Sequence, residues 1–309
     1  MNKMLVGYTG FVGSNIYAKG DFDGIYNSKN IQEAYGKNPD LLIYSGLRAE
    51  KFLANNAPEK DLKLIYEAEK NIEKINPKKL ILISTIDVLK KPINVDEDVE
   101  IETIGLQAYG YNRYQLECWV RGNYPDALII RLPGLYGINL KKNFIYDFIN
   151  IIPSMLKEEK MNELLLKNSD LTEYYKLGDN GFYKLTDINE NQKKELRNIL
   201  KSIQFTALNF TDSRNVYQFY PLERLWNDIK ICLENNIKLW HPATEPISAS
   251  ELYEALTGET FKNEILDKSL KYNFKTKYFK EFNGNNGYIM SKKEILEDIK
   301  KFIKKNMKL

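Results

Sequence analysis

Short apolar runs alternate with amphipathic stretches along residues 1–140 of this chain. The apolar runs have the length of buried strands, and each ends at glycine or polar residues: 4–6, 24–27, 40–45, 79–84 and 127–131. Between them, residues 61–75 and 109–121 carry apolar side chains at helical spacing. Continuous apolar strands separated by helices are typical of a parallel sheet that is covered on both faces. The pattern therefore predicts a doubly wound α/β fold, in which ligands bind at the carboxyl ends of the strands.

The character of the sequence changes in its second half. Lysine and glutamate dominate residues 155–205, which we expect to form an inserted helical lobe with a loop at 178–181. Strand-like composition returns at 205–219 and at 237–240, on either side of a helical stretch at 222–235.

The last part of the chain adds two predicted helices. A capping pattern, Ser248-x-x-Glu251, begins the first of them, and residues 289–308 form a basic amphipathic stretch typical of a solvated terminal helix. We therefore expect a larger domain and a smaller, mostly helical C-terminal lobe, made respectively of residues 1–150 with 206–245, and of 151–205 with 246–309.

The composition excludes several classes of protein. The chain has 309 residues, with 45 Lys and Arg against 42 Asp and Glu and a net charge of +3. No block of like charge indicates a nucleic-acid partner, and no apolar run reaches the ~18 residues of a membrane span. Two cysteines and one histidine argue against a disulfide framework, a zinc centre and a Ser-His-Asp triad.

The N-terminus lacks the charged-then-apolar plan of a signal peptide. We therefore expect a cytoplasmic protein, and the abundance of Lys, Asn and Ile suggests a bacterial one.

Three glycines, Gly7, Gly10 and Gly13, follow the first apolar run and precede a helical pattern. Glycine lets the backbone approach a phosphate closely, and a helix N-terminus presents free N–H groups to it. The spacing G-x-x-G-x-x-G departs by one residue from the dinucleotide fingerprint G-x-G-x-x-G. It predicts a pyrophosphate site, although glycines that only form a turn remain the alternative.

Three further motifs lie at or beside the ends of later strands. They read Leu-Ile-Ser84-Thr85-Ile-Asp-Val, Ala-Tyr109-Gly-Tyr-Asn-Arg113 and Arg131-Leu-Pro-Gly-Leu-Tyr-Gly. Together with the glycine turn, and in this order, they resemble the extended short-chain dehydrogenase/reductase superfamily, within it the NAD-dependent epimerase/dehydratase family. The resemblance covers residues 1–140 and implies a Rossmann-like fold with a bound nicotinamide cofactor.

The resemblance assigns roles to the catalytic candidates. Thr85 stands where the family places the hydroxyl that binds the reacting oxygen, and Tyr109 stands where it places the acid/base. A cation one helical turn away favours tyrosinate and lowers the tyrosine pKa from its usual value near 10. Arg113 is four residues after Tyr109 and can meet it on one helix face. The alternative is an ordinary pair on the helix surface.

Two departures from the family narrow the chemistry. Arg113 replaces the family's lysine; its charge can act on Tyr109 and contact ribose hydroxyls, but it cannot relay a proton. Ile86 stands where the family's 4,6-dehydratases carry an acid, so sugar dehydration is disfavoured. Simple redox chemistry or epimerisation at C4 remains.

The resemblance also marks the cofactor and substrate positions. The cofactor candidates are Gly7, Thr9, Gly10, Phe11, Val12, Gly13, Asn27, Ser28, Lys29, Ser45, Gly46 and Pro133. An acid after the second strand would bind the ribose of NAD, and Asn27-Ser28-Lys29 has none. This favours NADP, with NAD possible; the alternative is that these residues only form a turn.

The substrate candidates are Asn143 and Arg214. The resemblance implies contacts with a nucleotide-sugar after the fifth-strand motif, where Asn143 lies, and an arginine on the diphosphate near position 214, since arginine suits bidentate binding of phosphate. Arg214 in a structural salt bridge is the alternative, and His241 is expected to be structural. We expect an NAD(P)-dependent oxidoreductase or epimerase that acts on a nucleotide-sugar or related carbohydrate. A catalytically silent cofactor-binding sensor or assembly protein is the other hypothesis, and a homodimer remains open.

Overall fold

The computed structural model describes residues 1–178 and 181–306. The predicted loop at 178–181 therefore falls partly outside the described residues, as does the end of the predicted terminal helix. The chain divides into two compact units. Unit 1 contains residues 1–140, 216–247 and 270–299; unit 2 contains 141–215, 248–269 and the described residues from 300 onward. Residues 270–299, which we expected in the smaller lobe, group with unit 1.

The strands are β1 (Lys3–Val6), β2 (Gly24–Tyr26), β3 (Leu41–Tyr44), β4 (Leu80–Thr85), β5 (Leu128–Leu132), β6 (Gly134–Tyr136), β7 (Met155–Lys157), β8 (Tyr175–Leu177), β9 (Phe182–Leu185), β10 (Val216–Tyr217), β11 (Phe219–Pro221), β12 (Leu239–Trp240) and β13 (Ile247–Ser248). The α-helices are α1 (Phe11–Tyr17), α2 (Lys51–Asn56), α3 (Pro58–Ile75), α4 (Ala108–Asn123), α5 (Phe144–Ile149), α6 (Glu158–Leu165), α7 (Glu190–Ser202), α8 (Leu225–Glu234), α9 (Ala249–Thr257) and α10 (Lys292–Asn306).

Unit 1 is built on a six-stranded parallel sheet with the order β2-β1-β3-β4-β5-β12. The five strands predicted in the first 140 residues and the late strand all lie in it. After β2 the chain passes through a 3₁₀ turn, Ile31–Ala34, and returns to pair on the other side of β1. The order of strands therefore reverses at β1 and β3, and ligands of open α/β sheets bind at such a switch point.

The sheet is buried on both faces. Helices α3 and α4 cover one face and form a core with alternate strand residues such as Val6, Leu42 and Leu82. Successive strand side chains point to opposite faces, and the intervening Leu5, Ile43 and Ile81 are fully buried as well. The structure thus confirms the α/β sheet that the apolar pattern predicts.

Unit 2 differs from the helical lobe expected at 155–205. It contains helices α6 and α7, but also the three-stranded antiparallel sheet β7-β9-β8. Leu156, Tyr175 and the helix residues Met161, Leu164 and Leu196 share one core. These strands are only three or four residues long, too short for a period-two pattern to stand out among the lysines.

Three further local differences concern ends and short elements. Helix α2 was not predicted, since its six residues carry no full helical repeat. The segment expected to be strand-like at 205–219 contains a 3₁₀ turn, Ala207–Phe210, and only the short β10 and the start of β11. Thr206 begins that turn with a capping box. The box predicted at Ser248 and Glu251 does begin α9. Among the described residues, no helix has the length and apolar character needed to cross a membrane.

Candidate active site

The three positions after β1 that glycine occupies differ in how strictly the structure requires glycine there. Gly7 has φ +92°, and a Cβ there would lie 2.3 Å from the carbonyl oxygen of Ser45. A Cβ on Gly13 would lie 2.1 Å from the carbonyl oxygen of Gly7. Gly10 is exposed, and its Cβ would meet only the Gly7 carbonyl oxygen, at 3.2 Å. Gly7 and Gly13 are therefore required by packing, whereas Gly10 is exposed at the start of α1 and has a single close neighbour.

The remaining residues of this turn lie at the same edge of the sheet. Thr9 is exposed, and Phe11 and Val12 are half-buried in the first turn of α1. The backbone N–H groups of Phe11 and Val12 have no acceptor within the helix. Ser45 donates its backbone N–H to Val6 at 2.9 Å, which places Ser45 and Gly46 beside the turn at the switch point. This arrangement fits a cofactor pyrophosphate without the removal of any side chain.

The residues after β2 form a turn of their own. The side-chain oxygen of Asn27 accepts the Lys29 N–H at 2.9 Å, and that of Asn30 accepts the Asn27 N–H at 2.8 Å. Ser28 and Lys29 are exposed. The backbone of these residues therefore forms a turn, as the alternative interpretation expected. The Lys29 side chain lies on the surface.

Thr85 and Tyr109 come together although 24 positions separate them in the sequence. Thr85 ends β4, and its hydroxyl accepts the Asp87 N–H at 3.2 Å. Tyr109 lies in the first turn of α4 and is 8% exposed, and the Thr85 side chain beside it acts to lower the pKa of its phenol. The structure thus brings the two side chains together at the carboxyl end of a central strand.

The close approach of α4 depends on the residue after Tyr109. A Cβ on Gly110 would lie 2.0 Å from the carbonyl oxygen of Asp87. Only glycine permits the helix to lie this near the Ile86–Val88 3₁₀ turn that follows Thr85. Gly110 is therefore a structural condition for the pairing of Thr85 with Tyr109.

Arg113 is buried rather than on the helix surface, with 3% of its area exposed. Its Nη1 is ion-paired with Asp61 of α3, and its Nη2 donates to the carbonyl oxygen of Arg48 at 2.8 Å. Its Cζ lies 4.1 Å from the centroid of the Tyr109 ring. The alternative of an ordinary surface pair is therefore wrong.

The expected lowering of the Tyr109 pKa is also corrected. Burial raises this pKa, and the attraction of Arg113 for tyrosinate opposes the rise without cancelling it. Asp87 and Asp61 add to the rise. The charge of Arg113 thus acts in the predicted direction, but desolvation of the phenol outweighs it.

Asp61 is a residue that the sequence analysis missed. Its Oδ2 also accepts the side-chain amide of Asn112 at 2.9 Å. The signal was present, because Asp61 shares one face of α3 with the buried Ile65, Ala68 and Ile72. A carboxylate in phase with a buried apolar stripe requires a cation or hydrogen-bond donors.

A second buried ion pair lies behind Thr85. Glu117 of α4 accepts Nη2 of Arg131 at 2.7 Å and the hydroxyl of Ser84 at 2.6 Å. Arg131 also contacts Nε2 of His241 at 3.3 Å. Arg131 is the first residue of the third motif and lies in β5. Through Glu117 it connects β5 with α4 and with the end of β4. Pro133, two residues on, is half-buried between β5 and β6.

The substrate candidates belong to unit 2. Asn143 is the N-cap of α5 and accepts the Tyr146 N–H at 3.1 Å. Arg214 makes a bidentate pair with Asp212, at 2.9 and 2.7 Å, and reaches Glu264 at 3.2 Å. These bonds hold the pKa of Asp212 well below its usual range. The salt-bridge alternative thus describes Arg214, whose side chain is still 40% exposed.

No protein-family model matches the chain, and no curated protein matches it. Solved structures match over nearly its whole length. A dTDP-4-dehydrorhamnose reductase from Bacillus anthracis, in complex with NADP, has 14% identity and a TM-score of 0.63, with 99% of both chains covered. RMD from Pseudomonas aeruginosa, complexed with NADPH, has 11% identity, a TM-score of 0.62 and full coverage of both chains.

A third structure is an epimerase. UDP-N-acetylglucosamine 4-epimerase from Methanobrevibacter ruminantium, in complex with UDP-N-acetylmuramic acid, has 11% identity and a TM-score of 0.62, with 98% of this chain and 97% of that chain covered. These structures and this chain share a Rossmann-like α/β fold, and the predicted fold class is confirmed.

Proposed function

We propose that the protein is an NADP-dependent oxidoreductase or epimerase that acts on a nucleotide-sugar or a related carbohydrate. The observation that carries the proposal is the proximity of Thr85, at the end of β4, and Tyr109, which Gly110 brings against the turn that follows Thr85. This edge also contains the glycine turn and Ser45, at the point where the strand order reverses. Enzymes of this fold in complex with NADP, NADPH and a nucleotide-sugar ligand support the same assignment.

The chain offers a complete set of residues for the cofactor. The open backbone at Gly10, with Thr9, Phe11 and Val12, would hold the pyrophosphate, and Ser45, Gly46 and Pro133 would lie along the molecule. Ser28 and Lys29 are exposed after β2, and a lysine there suits the 2′-phosphate of NADP. When bound, NADPH supplies a hydride.

The protein's own residues handle the oxygen and its proton. The Thr85 hydroxyl binds the oxygen of the reacting carbonyl, and the Tyr109 hydroxyl donates its proton to that oxygen as it gains charge. Burial keeps the pKa of Tyr109 above its usual value, so the phenol is protonated at neutral pH. This state suits reduction of a ketone, in which tyrosine is the acid.

Unit 1 would then carry the cofactor. Asn143 and Arg214, in unit 2, remain the candidates for binding the substrate. The part of the Arg214 guanidinium that remains exposed is compatible with a diphosphate. Ile86 stands where the 4,6-dehydratases carry the first acid of a pair, and only Asp87 follows it, so sugar dehydration stays outside the proposal.

A silent cofactor-binding protein is the second candidate, and one observation favours it. Arg113 stands in place of the lysine that relays protons in the family, and it is tied to Asp61 and to the Arg48 carbonyl. A guanidinium held in this way cannot exchange protons. Tyr109 would need another route to recover its proton after each turnover.

The deciding experiment measures binding and turnover separately. NADPH affinity is measured by calorimetry, and NADPH oxidation is then followed with dTDP-4-dehydrorhamnose, while UDP-glucose and UDP-N-acetylglucosamine are tested for epimerisation. Gly10→Ala should weaken NADPH binding about tenfold, or ~1.4 kcal/mol, and Tyr109→Phe should bind NADPH but lose turnover. Binding without turnover on any keto or epimerisable sugar would favour the silent protein. Unchanged affinity in a folded Gly10→Ala protein would remove the cofactor site.

A further inference from the structure

A lysine outside the recognised motifs is ion-paired at the candidate active site. The ammonium of Lys51, the first residue of α2, lies 3.0 Å from Oδ1 of Asp87. The same carboxylate oxygen accepts the hydroxyl of Tyr272 at 2.8 Å. Asp87 follows Thr85 by two residues, and its backbone N–H is bonded to the Thr85 hydroxyl. We propose that Lys51, acting through Asp87, is a second cation that favours ionisation of the Tyr109 hydroxyl, in addition to the buried Arg113.

Helix α2 is fixed onto the helix that carries Tyr109. Asn55 lies four residues after Lys51, on the same side of α2, and its side-chain oxygen accepts the Tyr109 N–H at 2.9 Å. The side-chain amide of Asn55 also donates to the side-chain oxygen of Gln107, just before α4, at 3.1 Å. One face of α2 therefore binds both the start of α4, through Asn55, and the 3₁₀ turn after β4, through Lys51.

Asp87 is the link between Lys51 and Tyr109. Gly110 lets the backbone of α4 lie directly against that of Asp87, and the Thr85 hydroxyl accepts the Asp87 N–H. A carboxylate at this place opposes ionisation of Tyr109 by repulsion. Neutralising that carboxylate with Lys51 weakens the repulsion, so the ammonium favours tyrosinate without touching it.

The other charged and titratable groups that face Tyr109 have fixed partners. Arg113, on the same helix, is ion-paired with Asp61 of α3. Tyr272 is half-buried, and its pKa is raised by desolvation and by Asp87. Lys51 differs from these groups, because 46% of its side chain is exposed. The two cations therefore differ in burial and in the carboxylate that each contacts.

This inference rests on the proposed function for its catalytic meaning, in which Lys51 is a positioning residue. Its physical content is a coupling between three groups, and that coupling is measurable without cofactor or substrate. Tyrosine ring carbons shift on ionisation, so the full chain labelled with ¹³Cζ-tyrosine reports each phenol by NMR. The chain has 21 tyrosines, and Tyr109→Phe identifies the resonance of Tyr109.

We expect the pKa of Tyr109 to differ among the variants in a specific order. Asp87→Asn should lower it by about one unit or less, since the pair is partly exposed to solvent. Lys51→Met should raise it, because Asp87 is left unneutralised, and Lys51→Arg should keep the parent value. Lys51→Met in the Asp87→Asn background should add no further shift. Lys78→Met, which removes the partner of Asp40 far along the sheet, is the control and should leave Tyr109 unchanged.

Two results would overturn the inference. One is a Tyr109 pKa that Lys51→Met does not move in a folded protein. The other is a shift from Lys51→Met that persists in the Asp87→Asn background, since Lys51 would then not act through Asp87. Either result is independent of the proposed function, which fails instead if no nucleotide-sugar is turned over while the expected order of pKa values is observed.

Discussion

The guanidinium of Arg113 lies over the ring of Tyr109, with its Cζ 4.1 Å from the ring centroid. It acts on the aromatic face, while its Nη1 and Nη2 donate to Asp61 and to the Arg48 carbonyl. The hydrogen bonds of Arg113 therefore hold α3 and the segment before α2 against α4. Arg113 is part of the scaffold under the site.

The Arg113–Asp61 pair should be essential to stability. Asp61→Ala leaves a buried guanidinium without its carboxylate, so we expect the free energy of unfolding to fall by about 3–5 kcal/mol. Arg113→Met combined with Asp61→Leu should cost clearly less than the two single changes together, because no unpaired charge stays buried. Urea unfolding of the parent, Asp61→Ala, Asp61→Leu, Arg113→Met and the double variant gives the values.

Asp126→Ala is the control for this cycle, because it removes the exposed pair between Asp126 and Lys238 and should change stability little. Additive costs of Asp61→Leu and Arg113→Met would contradict the coupling.

Two glycines of α4 should respond to alanine with opposite signs. Gly110→Ala places a Cβ 2.0 Å from the Asp87 carbonyl oxygen, and the overpacking should cost about 1–3 kcal/mol or more. Gly122 has no atom within 4 Å of an added Cβ, so Gly122→Ala should stabilise the helix by roughly 0.5 kcal/mol. Thermal unfolding compares both with the parent protein. Equal effects would mean that α4 does not lie against the turn at Asp87.

His241 should stay neutral in the folded protein well below its usual pKa. Burial and the neighbouring Arg131 lower the pKa of His241 to about 3. The unfolded chain, with a histidine pKa of about 6.5, binds a proton between these values that the folded chain does not. Stability contributed by this group is therefore complete above pH ~6.5 and is lost as the pH falls, with a slope of up to ~1.4 kcal/mol per unit.

Because the chain has one histidine, ¹⁵N NMR reports this imidazole directly. Denaturant unfolding between pH 4.5 and 7 should show a steeper loss of stability in the parent than in His241→Gln. An imidazole that titrates near pH 6.5 in the folded protein would be the opposite result.

Lys29 should select NADPH over NADH. Its ammonium is exposed in the turn after β2, whereas its backbone is held by Asn27. Lys29→Ala should raise the dissociation constant of NADPH by about tenfold and leave that of NADH unchanged, measured by fluorescence titration. Lys78→Ala is the matched control, since Lys78 is paired with Asp40 just before β3, at the opposite edge of the sheet. Tighter binding of NADH by the parent protein would reverse the assignment.

The sequence alone determined the central sheet. Strands and helices of unit 1 leave a strong local signal, because a strand buried on both faces is a continuous apolar run and a covering helix repeats its apolar residues every three or four positions. The capping box at Ser248 is a local signal too, and it correctly predicted the start of α9. The order of the four motifs correctly indicated the fold.

Only the tertiary structure decided which charges meet. Asp61 and Arg113 are 52 residues apart, and Tyr272 reaches Asp87 across 185. No local pattern carries such pairings, because they depend on how helices pack on the sheet. Burial decided the rest: the same Arg113 that favours ionisation of Tyr109 is outweighed by the desolvation of the phenol. Desolvation is a property of the whole surrounding structure and cannot be read from the spacing of two residues.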